Sequence, residues 1–88
     1  MKVFISAGHG GADSGAVANG VKEKDLNLSI AKACRDELVR HGIEVKMSRA
    51  SDENDPLSEE IKECNAYAPT LAVSIHNNAG KLKSCLNI

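Results

Sequence analysis

Tryptophan is absent from this 88-residue chain, and phenylalanine and tyrosine occur once each. So few rings leave little on which nucleobases could stack. An excess of one charge is missing too. With 11 basic residues against 12 acidic ones and a net charge of -1, no basic stripe points to nucleic acid or to an anionic lipid surface. No apolar run approaches a membrane span, and Met1-Lys2 leads straight into an apolar stretch rather than a signal-peptide core. The expectation is cytoplasmic synthesis without an export leader, and no membrane or nucleic-acid partner. Cys34, Cys64 and Cys85 are odd in number, widely spaced and without a CxxC pair, which excludes a disulfide scaffold and a cysteine zinc finger and leaves reduced thiols. Repeats, low-complexity segments and an evident linker are lacking as well. The length allows one small domain that buries roughly 60 to 65 per cent of its unfolded surface.

What is present is concentrated at the amino end. Val3-Phe4-Ile5-Ser6-Ala7 is short and nearly continuous in apolar character, the pattern of a strand buried on both faces in a parallel sheet. It runs directly into Gly8-His9-Gly10-Gly11, and ligands of open α/β sheets gather at such carboxyl ends. Ala12 to Lys22 is small and polar and reads as irregular backbone. A helix is expected from about Glu23, with Leu26, Ile30, Ala33, Cys34 and Leu38 at helical spacing and a stop at His41-Gly42. Ile43 to Met47 alternates as a second strand. A charged loop over Arg49 to Pro56 then leads through Asn54-Asp55-Pro56 into a second helix, which carries Leu57, Ile61, Cys64 and Ala68 on one face and is closed by Pro69. Thr70 to Ile75 is a third apolar strand, again with a histidine, His76, at its carboxyl end. Right-handed crossovers make this an α/β fold, a three-layer parallel βαβαβ unit of strand order 2-1-3, with His9 and His76 facing each other across the crevice between strands one and three.

Two histidines are too few for a tight metal site, and Glu23 is the best third group. It opens the first helix at the same sheet edge. Two imidazoles and a carboxylate leave tetrahedral Zn²⁺ an open position, the arrangement of hydrolytic rather than structural zinc. Each residue also has a plainer reading. A histidine after a strand is more often a loop hydrogen-bonder, and Glu23 equally suits a helix amino terminus by its charge. His41 reads as a complement to the helix dipole. Asp13 is either a turn residue or a group that orients a ligand, and Cys34 and Cys64 read as core. A phosphate-binding loop is excluded: the third glycine of a dinucleotide fingerprint and a following Gly-Lys-Ser/Thr are both missing, and the helix begins too late.

Taken in order, these motifs resemble those of a known family. Gly8-His9-Gly10-Gly11-Ala12-Asp13-Ser14-Gly15-Ala16 is similar to the amino-terminal signature of zinc-dependent N-acetylmuramoyl-L-alanine amidases of the third amidase type, found in bacterial cell-wall hydrolases, sporulation enzymes and phage endolysins. Glu23 falls at that family's glutamate, and Ser74-Ile75-His76-Asn77-Asn78-Ala79 is similar to its second histidine motif. The resemblance covers residues 1–80 and leaves 81–88 as a divergent tail. It implies the first half of a zinc-exopeptidase-like amidase domain, with Zn²⁺ on His9, Glu23 and His76. Its partner would be peptidoglycan and its reaction hydrolysis of the amide between the lactyl group of muramic acid and L-alanine. Two departures stand out. Ser14 occupies a place where proline is common, and Lys81 to Ile88 contains no Glu or Asp to match the family's late catalytic glutamate. The catalytic residue is therefore unknown and impaired hydrolysis is expected, with Glu53, Glu59 or Glu60 as the substitute acid should turnover prove fast. The alternative is a non-catalytic metal-binding or cell-wall-binding remnant. Action at the wall would follow release from the cytoplasm, and an exposed sheet edge would favour self-association.

Overall fold

The computed structural model describes residues 1–77. The tail expected over 81–88, with Cys85, and the last residues of the second histidine motif lie outside the described residues. In chain order the elements are β1 (Lys2–Ala7), β2 (Val17–Ala18), β3 (Val21–Lys22), α1 (Glu23–Arg40), β4 (Glu44–Met47), α2 (Leu57–Tyr67) and β5 (Leu71–Ile75). β1 is the middle strand of a parallel sheet ordered β4-β1-β5, the 2-1-3 arrangement expected.

β1 is central because it can be buried on both faces. The register sets Val3 beside Val45 and Leu71, Ile5 beside Met47 and Val73, and Ala7 beside Ile75. Val3, Ile5, Ala7 and Ile75 face Ala31 of α1, with Leu28, Cys34 and Leu38 packed around them. Side chains alternate along a strand, so Phe4 and Ser6 point the other way. There Phe4 meets Tyr67 of α2, ring centroids 6.5 Å apart, which completes the three layers. Among the described residues, no helix is long and apolar enough to cross a membrane.

The inward face of α1 differs from the expected one. Glu23, Lys24, Asn27 and Ala31 are buried, whereas Leu26 and Ile30 are about two-fifths exposed and Ala33 also faces outward. Counting apolar residues alone misplaced the face, because three of the four buried positions are polar. The end of α1 is as expected. Gly42 takes φ 78°, its N–H reaches Val39 O, and the Ile43 N–H reaches Leu38 O, the paired bonds of a Schellman stop.

Three further expectations are corrected. The segment Ala12 to Lys22 contains a small antiparallel hairpin, β2 with β3, turned by Asn19 and Gly20 at φ 51° and 77°. Two consecutive left-handed residues suit a tight hairpin turn, and Asn-Gly is its usual signal. The apolar face assigned to the second helix is not buried either. α2 has no buried residue, Leu57 is 69 % and Ile61 is 50 % exposed, and Ala68 lies past the helix as a left-handed cap. Cys34 and Cys64, expected in the core, are free thiols only partly buried, Cys34 packed against the core cluster and Cys64 on the α2 side near Phe4 and Ile61.

Candidate metal centre

The three strand and helix ends named from the sequence meet at one place. Beyond β1 the pairing continues one residue, the Gly8 N–H donating to Ile75 O at 3.0 Å, and this draws the segments after β1 and β5 together. His9 and His76 follow, their rings edge to face with centroids 5.3 Å apart. Glu23, the first residue of α1, comes up between them. One ligand atom from each of His9, Glu23 and His76 lies within 4.8 Å of the others.

His9 sits at φ 65°, a conformation rare outside glycine. The turn after it explains how this is held. Gly10 and Asp13 exchange two backbone hydrogen bonds of 2.8 and 3.0 Å, which folds Asp13 back onto the His9 ring. His9 Nδ1 then lies 2.8 Å from Asp13 Oδ2, while Asp13 Oδ1 accepts from the Gly15 N–H, so both sequence readings of Asp13, turn residue and orienting group, match its contacts. That bond from His9, together with one from the Gly15 N–H, holds the Asp13 carboxyl below its ordinary 3.8. Gly15 is required here for space. It has φ 65°, and a Cβ on it would run into the His9 ring and Glu23 Oε1.

The donor chemistry suits a cation. His9 Nε2, the ring nitrogen turned away from Asp13, faces Glu23 Oε1 at 3.1 Å, and in the tautomer whose Nδ1 proton goes to Asp13 it carries a lone pair. Two acceptors so close call for a proton or a positive ion. His76 Nδ1 lies 3.1 Å from the other carboxylate oxygen, Glu23 Oε2, within hydrogen-bond reach. Burial disfavours the Glu23 charge, but hydrogen bonds from the Asn27 amide, the Asn77 and Ala16 N–H groups and His76 outweigh it. They hold the carboxyl at about 2 against an ordinary 4.5. An ionised carboxylate beside two imidazole nitrogens is a donor set that fits Zn²⁺.

Arg49, from the charged loop after β4, and Lys24, in the first turn of α1, hold this arrangement from behind. Arg49 is buried, and its guanidinium donates to Ala7 O, Gly8 O, Lys24 O and Ser51 O at 2.8 to 3.1 Å. Lys24 Nζ donates to Gly11 O and to Asp52 Oδ2 at 2.9 and 2.8 Å. Nothing in the charge pattern marks these side chains as interior. A dense run of charges beside a glycine loop, with few apolar residues to bury, was the one available hint.

Beside the cluster opens a cavity of about 640 Å³ that His9, His76 and Asp13 line on one side and Asp55 and Glu60 on the other. Burial pushes the Asp55 carboxyl up, against a lowering hydrogen bond from Ser48. Of the three glutamates considered as substitute acids, Glu60 lies on this wall. Glu53 accepts a bond from the Ser51 hydroxyl and Glu59 pairs with Lys62, both at the exposed surface. His41 is remote from the cluster, against Glu37 near the end of α1.

Fold and cluster together define an α/β domain with two histidines and a glutamate that could hold a metal ion gathered at one edge of its sheet. The family described as N-acetylmuramoyl-L-alanine amidase matches residues 3–86, and the chain belongs to that family. It is 42 % identical over 82 residues to the N-acetylmuramoyl-L-alanine amidase CwlM of Bacillus licheniformis, covering 91 % of this chain and 32 % of that protein. To the endolysin of Bacillus phage SPP1 it is 46 % identical over 78 residues, covering 88 % of this chain and 29 % of the relative. The solved structure of the amidase AmiC2 of Nostoc punctiforme superimposes with a TM-score of 0.85 at 37 % identity, over 89 % of this chain and 44 % of that one. The chain thus spans about a third of these two curated relatives and less than half of the solved structure.

Proposed function

We propose that this chain carries the metal-holding part of a zinc-dependent amidase that hydrolyses the amide between N-acetylmuramic acid and L-alanine in peptidoglycan, with His9, Glu23 and His76 as ligands. The observation that supports the reading above all others is the convergence of those three side chains within 4.8 Å at the edge of an open cavity. Zn²⁺ bound there supplies Lewis acidity for the scissile carbonyl and for water. The chain's own groups prepare the site. Asp13 keeps the proton of His9 on Nδ1, and Asn27, Ala16 and Asn77 keep Glu23 ionised. The cavity, about 640 Å³, is within the range of small-ligand sites and takes the junction of sugar and peptide. Action at the bacterial wall belongs to the same proposal.

The departing alanine nitrogen needs a proton, and this limits the 88 residues taken by themselves. Glu23 and Asp13, the carboxyls that touch the histidines, are both held below their ordinary values and stay ionised at neutral pH. Asp55 and Glu60 are the remaining carboxyls on the cavity wall. Neither makes a hydrogen bond to His9 or His76, and without a positioned acid hydrolysis by these 88 residues is expected to be slower by about 10² to 10⁴. The same observation favours a second reading, a metal-binding or wall-binding element without turnover. Purified peptidoglycan separates the two. Slow release of new L-alanine amino groups supports the amidase, and binding to the wall without any release supports the second reading. β5 is an edge strand among the described residues, with Leu71 half exposed, and we propose self-association along it.

A further inference from the structure

We infer that Asn27 is a positioning residue that ties together the three segments carrying His9, Glu23 and His76. The inference rests on the metal site proposed above. Asn27 lies one helical turn after Glu23 on the inward face of α1 and is fully buried. Its Nδ2 donates to Gly8 O at 3.0 Å and to Glu23 Oε2 at 3.1 Å, and its Oδ1 accepts from Asn77 Nδ2 at 2.8 Å. Gly8 immediately precedes His9, and Asn77 immediately follows His76. One amide therefore reaches all three segments, and its two N–H donors and its carbonyl are each engaged.

Other side chains do not fill this place. Aspartate has no donor for the Gly8 carbonyl and would set a second negative group against Glu23, and leucine keeps the volume but loses all three bonds. The remaining supports do not span the cluster. Arg49 also donates to Gly8 O, but it reaches neither Glu23 nor the segment after β5. The Asn77 N–H reaches Glu23 Oε2 but not the His9 loop. Without Asn27 each loop stays tethered while the alignment of the loops with one another is lost. Groups that orient ligands in this way typically change metal affinity by about 10- to 100-fold when removed.

The test is zinc affinity of the 88-residue chain, measured by competition with a chromophoric chelator, beside thermal melting of the same proteins in EDTA. Asn27→Leu is expected to weaken zinc binding by about 10- to 100-fold at temperatures where it is fully folded. Cys34→Ala, on the same helix but away from the cluster, is expected to lower the melting temperature and leave zinc affinity unchanged. Asn77→Ala removes the same side-chain bond from the other end and keeps its backbone N–H to Glu23. It is expected to weaken zinc binding less than Asn27→Leu, and the double variant to be no worse than Asn27→Leu alone, because both changes break one shared link. Should Asn27→Leu fail to fold, Asn77→Ala alone carries the test. Parent-like affinity in either folded Asn variant, with zinc bound by the parent, overturns the positioning role alone. A parent that takes up no zinc overturns the metal reading and this inference with it.

Discussion

α1 and α2 flank the same three-stranded sheet, yet they are held to it differently. α1 buries Glu23, Lys24, Asn27 and Ala31, whereas α2 buries no residue at all. Within α1 there is a further division. Its first two turns give their inward face to polar groups that hold the cluster, and its later turns give Ala31, Cys34 and Leu38 to the apolar core. The α2 side leaves Leu57 and Ile61 largely exposed, with a small apolar cavity of about 170 Å³ between Ile61, Cys64 and Phe4. Among the described residues, the α1 face carries the core and the supports of the cluster, and the thinly covered α2 side supplies Leu57 and Glu60 to the wall of the cavity.

The widest gap between the two faces should appear in cavity-forming substitutions. Ile5→Ala removes a fully buried side chain beneath α1 and is expected to cost about 2–5 kcal/mol, whereas Ile61→Ala on α2 should cost about 1 kcal/mol or less. Urea denaturation of both variants measures the contrast, and equal losses would mean that the α2 face is packed more tightly than its exposure indicates. Next in size is Arg49→Leu. It leaves the carbonyls of Ala7, Lys24 and Ser51 without their guanidinium donor and is expected to cost about 1–3 kcal/mol in the same assay.

A smaller effect belongs to Glu23 and is read through pH. Its folded carboxyl titrates at about 2, below the ordinary 4.5. A lowered folded pKa stabilises the fold in full above the unfolded value, and that contribution is lost as pH falls from 4.5 toward about 2. In EDTA the parent's melting temperature should therefore fall through this window more steeply than that of Glu23→Gln. Identical slopes would show that the hydrogen bonds to Glu23 do not favour its charge.

The strand order and the three clustered side chains were legible because each depends on a local pattern: an unbroken apolar run that ends at a histidine, and an acidic residue that opens a helix. Their convergence then follows from right-handed crossovers. The inward face of α1 was not legible. Its first half is chosen by hydrogen-bonding partners that lie 19 to 50 residues away in sequence, namely Gly8 and Asn77 for Asn27. Apolar periodicity carries no information about such bonds. Arg49 and Lys24 were hidden for the same reason, since a charged side chain can be buried only where carbonyls and carboxylates are brought to it by tertiary structure. The β2–β3 hairpin was missed differently: Asn19-Gly20 was present as a signal, but no apolar alternation flanks it.

The central claim is that His9, Glu23 and His76 hold one metal ion, and zinc content after purification and dialysis tests it most directly. The parent chain should retain about one Zn²⁺ per molecule, and His9→Ala and His76→Ala, each lacking one of three protein ligands, should retain little. Equal zinc in the parent and in both variants would contradict the claim.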